Sequence, residues 1–241
     1  NSLYAIEKEL KEGYITIEGG HRIGFTGEVV LNDGKIKRIK NINSINFRIN
    51  QEIIGVGDKI VKWLYNYEHN SFYNTIIIAP PLCGKTTLLR DLIRILSSGQ
   101  KKIKIKSNKV GVVDERSEIG GAYHGIPQND LGPRTDLLDN CPKSIGILLL
   151  IRTMSPEIIA VDELGEKKDI EAIKKALNSG VKVIATIHGF DYQSVGRQPY
   201  MRELIKEKSF DRFVILSNKN GIGTLEDIID SKGGSLLGRI D

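Results

Sequence analysis

The stretch Thr75-Ile-Ile-Ile-Ala-Pro-Pro-Leu-Cys-Gly-Lys-Thr-Thr-Leu-Leu-Arg-Asp91 decides the fold. Thr75 to Ala79 reads as a strand with no polar face. From Leu88 onward, Leu88, Leu89, Leu92, Ile93 and Leu96 recur at helical spacing and form one apolar stripe. Between strand and helix, Gly84-Lys85-Thr86 matches the back half of a phosphate-binding loop, with Ala79 where the pattern's first glycine stands. Backbone amides around Gly84 wrap a β-phosphate at a helix N-terminus, where the dipole favours an anion. Lys85 can bridge β- and γ-phosphates, and the Thr86 hydroxyl can ligand Mg²⁺. Pro80, Pro81, Leu82, Cys83, Gly84, Lys85, Thr86 and Thr87 together form the expected nucleotide cradle.

Working outward, apolar strands alternate with helices. Val110 to Val113, Ile158 to Val161, Val181 to Thr186 and Phe213 to Leu216 are short strands; Ile170, Ile173 and Leu177 form another helical stripe, ended by Gly180. Strands apolar throughout and separated by helices indicate α/β architecture, a mostly parallel sheet covered on both faces. Ile53, Ile60, Trp63 and Leu64 suggest a further helix, weakened at its start by Gly55 and Gly57. Residues 1–50 differ. A short helix from Leu3 to Glu12 precedes alternating runs over Gly13 to Glu18, Arg22 to Leu31, Lys35 to Ile39 and Ile45 to Ile49. Asn32-Asp33-Gly34 marks a hairpin between the second and third. We therefore expect a small α+β domain over 1–50 and a nucleotide-binding domain over 51–241.

Ile158-Ile-Ala-Val-Asp-Glu163 is a buried strand ending in two carboxylates. Asp162 would hold the Mg²⁺ shell and Glu163 would orient and deprotonate the attacking water. The adjacent glutamate favours hydrolysis that drives motion over a switch that positions water with Gln. The next strand ends Thr186-Ile-His-Gly189. Strand ends in an open parallel sheet face the ligand crevice, so Thr186 or His188 is placed to feel the γ-phosphate, although a lone histidine is as often structural. Asp114, Glu115 and Arg116 end the strand between the two motifs; they could join the metal shell, contact nucleotide or pair locally. Gly120 to Asp136, with His124 and Arg134, reads as a long functional loop.

Composition excludes several classes. The chain has 241 residues, 40% hydrophobic and 27% charged, with 35 basic against 30 acidic residues for a formal charge of +5. That mild excess does not point to nucleic acid. Two cysteines, Cys83 and Cys141, make no disulfide scaffold and suit a reducing compartment. The apolar run Ile145 to Ile151 contains Gly146 and falls far short of the ~18 residues a membrane span needs. His21, His69, His124 and His188 have no ligand spacing with either cysteine, which sets zinc aside. The chain begins Asn1-Ser2-Leu3-Tyr4 without an initiator Met or a signal-peptide pattern, so a truncated N-terminus is expected.

Gly19-Gly-His-Arg-Ile-Gly24, Pro80-Pro-Leu-Cys-Gly-Lys-Thr-Thr-Leu-Leu-Arg-Asp91, Val113-Asp-Glu-Arg-Ser-Glu-Ile119 and Asp162-Glu-Leu-Gly165, in that order, resemble the stage III sporulation protein AA family over nearly the whole chain. The resemblance implies a RecA-like ATPase of the secretion superfamily that uses ATP and Mg²⁺. It implies a homo-oligomer, a hexameric ring in which an N-terminal domain lies beside the ATPase domain. It further implies a mother-cell cytosolic protein of endospore formers that powers a membrane-embedded channel complex around the forespore. By the same likeness Asp114 and Glu115 fall in the family's acidic box and His188 matches its histidine box. Arg22, Arg48 and Arg116 are candidates for arginines that complete a site between domains or subunits.

Three rival readings compete with this one. A nucleic-acid motor would use the lysine-rich runs Lys35 to Lys40 and Lys101 to Lys106. Those runs alternate Lys with Ile as a strand with one solvated face does, and no aromatics interleave for base stacking. Nor does any Arg have a His four residues later, the signature of a single-strand-binding module fused to some relatives. A nucleotide-binding scaffold without turnover would be expected to have lost catalytic residues, yet Lys85, Thr86, Asp162 and Glu163 are all in place. A small-molecule kinase would need an acceptor pocket that nothing in the sequence supplies.

Overall fold

A computed structural model describes residues 9–239. The chain divides into two compact units: the N-terminal residues to Glu52 together with Gly120–Asn129, and Ile53–Ile119 with Asp130 onward.

The N-terminal unit is built on a three-stranded antiparallel sheet, β1 (Tyr14–Ile17), β2 (His21–Asn32) and β3 (Lys35–Arg48), in the order β1-β2-β3. Asn32 pairs with Lys35 across the Asp33-Gly34 turn, the hairpin the sequence signalled. Lys35 to Ile39 and Ile45 to Arg48 are parts of one long strand, with a register shift at Gly27 opposite the polar stretch between them, while Ile49 lies just past its end. Residues 9–12 are helical; the rest of the expected N-terminal helix lies outside the described residues. Within this unit, Asn50 donates from its backbone N–H to His21 Nδ1 (3.0 Å) and from its side chain to Asn129 Oδ1 (2.7 Å), and Gly19 N–H donates to Gln128 Oε1 (2.9 Å). The segment 120–129, expected as part of a longer loop, is thereby tied to the first fifty residues. Six residues past its end, Thr135 begins a strand.

The second unit carries a seven-stranded sheet. Its strands are β6 (Thr75–Ala79), β7 (Val110–Asp114), β8 (Thr135–Asp139), β9 (Ile158–Val161), β10 (Lys182–His188), β11 (Arg212–Ser217) and β12 (Thr224–Asp230), in the order β12-β11-β6-β10-β9-β7-β8. All neighbouring pairs are parallel except β11 with β12. A two-stranded ribbon, β4 (Tyr65–Asn66) with β5 (Ser71–Phe72), precedes it.

Strand periodicity assigns the two faces. Ile77 and Ala79 of β6 pack into one apolar cluster with Leu88, Leu89, Leu92, Ile93 and Leu96 of helix α1 (Lys85–Ser98). Ile76 and Ile78 point the other way. They join a second cluster with Ile147 and Leu150 of α2 (Lys143–Met154), Ile170 and Ile173 of α3 (Lys167–Asn178), Val195 of α4 (Tyr192–Gly196), and Met201 and Leu204 of α5 (Pro199–Lys206). The sheet is covered on both faces, and the domain is α/β of the RecA-like kind.

Two local expectations are corrected. The helix suggested over Ile53 to Leu64 reduces to one 3₁₀ turn at Val61–Trp63. Asp91 of α1 captures the backbone N–H groups of Gly55 (3.0 Å) and Gly57 (2.7 Å), and the chain there runs through bends and turns, with Gly55 at φ +91°. The Lys101 to Lys106 run is a 3₁₀ turn at Lys101–Ile103 followed by a left-handed Lys104, not a strand with a solvated face.

Helix α2 owes its closeness to the sheet to Gly146. A Cβ there would lie 2.5 Å from Val113 Cγ1 and 3.1 Å from Cys141 Sγ. In an open helix Gly→Ala gains up to about 1 kcal/mol of propensity. Here Gly146→Ala should instead destabilise by about 1–3 kcal/mol through overpacking against β7. Chemical denaturation reads the sign directly; a stabilised variant would mean that α2 does not approach β7 so closely.

Candidate functional site

Strands β6, β10, β9 and β7 are consecutive neighbours and parallel, so their C-terminal ends emerge along one edge of the sheet. Each end delivers one part of the site. Open parallel sheets place their ligands at this edge.

From β6 the chain turns through Pro80 and the exposed Pro81, past Leu82, which is 90% exposed with φ +61°, to the buried Cys83. Gly84 caps α1 with φ +82°, a conformation that costs glycine nothing. The first turn of α1 has, among the described residues, no side-chain cap and no acidic residue. Its amides are therefore presented to an anion rather than to a carboxylate of the chain itself. Thr86 and Thr87 are half-buried in this turn.

Lys85 is only 7% exposed. Its ammonium donates to the carbonyls of Ala79 (3.1 Å) and Pro80 (2.9 Å) and to Nδ1 of His188 (3.1 Å), which uses all three of its protons. Burial pushes the lysine below its ordinary pKa, opposed first by the negative charge of Asp162 and less by Cys83 and Glu163. Because an ammonium only donates, Nδ1 of His188 accepts, and its Nε2–H donates to Glu163 Oε1 at 2.9 Å. Glu163 Oε2 in turn pairs with Arg116 Nη1 at 2.7 Å. The result is one line of polar contacts, Lys85–His188–Glu163–Arg116, drawn from the ends of β6, β10, β9 and β7.

Beside it lies the candidate cation site. Thr86 Oγ1 donates to Asp162 Oδ2 at 2.6 Å, and the Thr186 hydroxyl makes a short bond to Asp162 Oδ1. Among the described residues no three His, Cys, Asp or Glu side chains converge as a metal cage. One carboxylate and one hydroxyl are nonetheless the hard-oxygen set that Mg²⁺ takes when substrate phosphates and water supply the remaining ligands. The residues present fit that ion.

The acids after β7 go to separate tasks. Asp114 is buried and accepts the backbone N–H groups of Glu118 and Ile119, both at 2.9 Å. Glu115 pairs with Lys143 at the start of α2. Of this trio, Arg116 is the one that contacts the carboxylate of Glu163. Arg22 and Arg48 are cross-strand partners in β2 and β3 of the N-terminal unit, with Arg22 over the Tyr14 ring at 4.4 Å. Arg134 donates to Ser107 and His124 stacks on Tyr123, each by local contacts.

Sequence reading did not single out two participants. The turn between β11 and β12 comes up against the phosphate loop: a Cβ on Gly84 would meet Gly223 Cα and Ile222 Cγ2 at 3.4 Å, and Ile222 is 77% exposed. Gln198, ahead of α5, donates to the His188 carbonyl at 3.0 Å. The glycines of Gly221-Ile222-Gly223 were the available signal for the first, while Gln198 carried none.

Among solved structures, the chain is similar to the pilus retraction motor PilT with bound ADP (TM-score 0.57, 14% identity, 92% of this chain and 64% of that one). It is also similar to the Legionella pneumophila ATPase DotB (TM-score 0.53, 18% identity, 86% of this chain and 59% of that one). It thus spans somewhat under two thirds of both, and at these identities the likeness is one of fold. The chain is 28% identical over 170 residues to the uncharacterized protein ycf45 of Cyanidium caldarium, covering 70% of this chain and 47% of that one. It is 45% identical over 238 residues to stage III sporulation protein AA of Bacillus subtilis (strain 168), covering 99% of this chain and 76% of that protein. The family described as "Sporulation stage III, protein AA" matches residues 1–236. This chain belongs to that family.

Proposed function

We propose that this chain is a Mg²⁺-dependent ATPase working as a hexameric, secretion-type ring, and that it energises a sporulation-associated channel complex from the mother-cell cytosol. The observation that carries the reading is the line Lys85–His188–Glu163–Arg116 beside Thr86–Asp162, all at the phosphate-loop edge of a RecA-like sheet. Among the described residues no helix is long and apolar enough to cross a membrane.

The roles follow from the donors and acceptors present. The first-turn amides of α1 bind the β-phosphate. Lys85 exchanges its carbonyl and imidazole acceptors for phosphate oxygens, a charge-assisted bond stronger than those it leaves. When bound, Mg²⁺ neutralises developing charge on the phosphates, and Thr86 and Asp162 would hold it. Glu163 orients the attacking water and takes its proton, for which its carboxylate must let go of Arg116 or His188. Released from Lys85, His188 is free to turn toward the γ-phosphate, which couples occupancy of the loop to the base. Arg116, once detached, can neutralise transition-state charge. Arg22 and Arg48 are proposed to do the same from the N-terminal unit, as residues completing a site between subunits.

Two variants separate binding from chemistry. Lys85→Ala removes a charged contact worth about 1.5–3 kcal/mol per hydrogen bond, so ATP affinity should fall by at least tenfold and turnover should vanish. Glu163→Gln keeps the shape without the proton acceptor. It should bind ATP as the parent does while phosphate release drops about 10²–10⁴-fold. Equal turnover in the parent and Glu163→Gln would remove Glu163 as the base. For the ring, phosphate release per subunit should climb steeply with protein concentration; a flat profile in an active enzyme would mean that each subunit completes its own site.

A further inference from the structure

Thr186 touches both carboxylate residues at once. It lies in β10 with none of its surface exposed. Its hydroxyl bonds to Asp162 Oδ1 and accepts the backbone N–H of Glu163 at 2.8 Å, while its carbonyl accepts the N–H of Leu164 at 2.9 Å. A hydroxyl has one proton. The carboxylate of Asp162 takes it, so none remains for a phosphate.

The consequences differ for the two acids. The Asp162 carboxylate is held between two threonines, Thr86 from α1 at one oxygen and Thr186 at the other, which fixes the plane it presents to a cation. Glu163 sits at φ +54°, a left-handed conformation that non-glycine residues avoid unless their surroundings impose it. Here the imposition is visible: two successive amides, those of Glu163 and Leu164, bond to the same threonine. The turn so formed delivers the Glu163 side chain to His188 and Arg116.

We propose that Thr186 is the positioning residue of this site. It orients Asp162 for the cation and holds Glu163 in its left-handed turn without contacting nucleotide itself. The proposal rests on the nucleotide reading above and assigns Thr186 a part distinct from sensing the γ-phosphate. A merely structural threonine in an apolar sheet would be replaced well by valine, which has the same shape; a positioning hydroxyl would not.

The test uses the full chain with Thr186→Val, and with Thr186→Ser, which restores the hydroxyl without the methyl. ATP affinity is measured with Mg²⁺ and with EDTA, and phosphate release is followed against Mg²⁺ concentration. Thr186→Val should bind ATP as the parent does in EDTA but lose the gain that Mg²⁺ gives. It should need on the order of 10–100-fold more Mg²⁺ for half-maximal turnover, the usual cost of removing a ligand's supporting partner. At saturating Mg²⁺, kcat should fall with little change in KM for ATP, and Thr186→Ser should return both readings toward the parent. If the valine variant does not fold, Thr186→Ala removes the same hydroxyl and is held to the same expectations. A Thr186→Val protein with parental Mg²⁺ dependence overturns the proposal, as does a Ser variant as impaired as the Val. A parent chain that binds no ATP in either condition overturns the nucleotide reading and this assignment with it.

Discussion

The ammonium of Lys85 is almost wholly withdrawn from water, and a buried cation is tolerated only where its protons are all accepted. Its three acceptors come from the ends of two adjacent strands, Ala79 and Pro80 after β6 and His188 at the end of β10. Ala79 and His188 are register partners in that parallel pair. A slip of one residue would turn His188 to the opposite face of the sheet and leave the lysine short of an acceptor. The strand register, set by apolar packing on both faces, is thus also what makes the phosphate loop electrostatically permissible.

From that fixed point the remaining contacts form a closed set. Lys85 holds His188, His188 and Arg116 hold Glu163, and Thr86 and Thr186 hold Asp162. Each of these side chains is already bonded to another member of the set. Nucleotide binding, as proposed, would exchange internal hydrogen bonds for bonds to phosphate, with the side chains ordered before the ligand arrives. On that proposal the exchange would also link the parts: a phosphate taking Lys85 would remove the donor that His188 Nδ1 accepts, and with it one anchor of the histidine that restrains Glu163.

What could be read from sequence follows from where a single pattern decides. β9 is apolar throughout, β6 is apolar after Thr75 and β10 has an apolar run over residues 183–185, and the Leu88 to Leu96 stripe has one period, so strand and helix were legible without tertiary information. Lys85, Thr86, Asp162 and Glu163 were legible as a motif, and the structure brings them together. Edge strands were not legible: β8, Thr-Asp-Leu-Leu-Asp, and β12, Thr-Leu-Glu-Asp-Ile-Ile-Asp, mix acids with apolar residues because one side of each strand faces no neighbour. Helix α2 was hidden for the opposite reason. Its run Ile145 to Ile151 is apolar on all sides, with Ile145 and Leu149 exposed and Ile147 and Leu150 buried, so no period shows.

The tip of β7 shows why type and spacing alone could not assign roles to consecutive acids. Asp114, Glu115 and Arg116 are adjacent in sequence, yet Asp114 turns inward to cap the amides of Glu118 and Ile119, and Glu115 turns to Lys143. Arg116 reaches the carboxylate of Glu163, which follows β9. β7 ends at Asp114, and the bend that follows over residues 115–117 lets the three side chains leave in different directions. It also gives Arg116 a choice that neither acid has. Its guanidinium can pair with Glu163 or with a phosphate, but while it pairs with Glu163 one oxygen of the proposed base is occupied. Pairing with Glu163 and pairing with a phosphate are thus opposite settings of one arginine, and the second would leave the proposed base free.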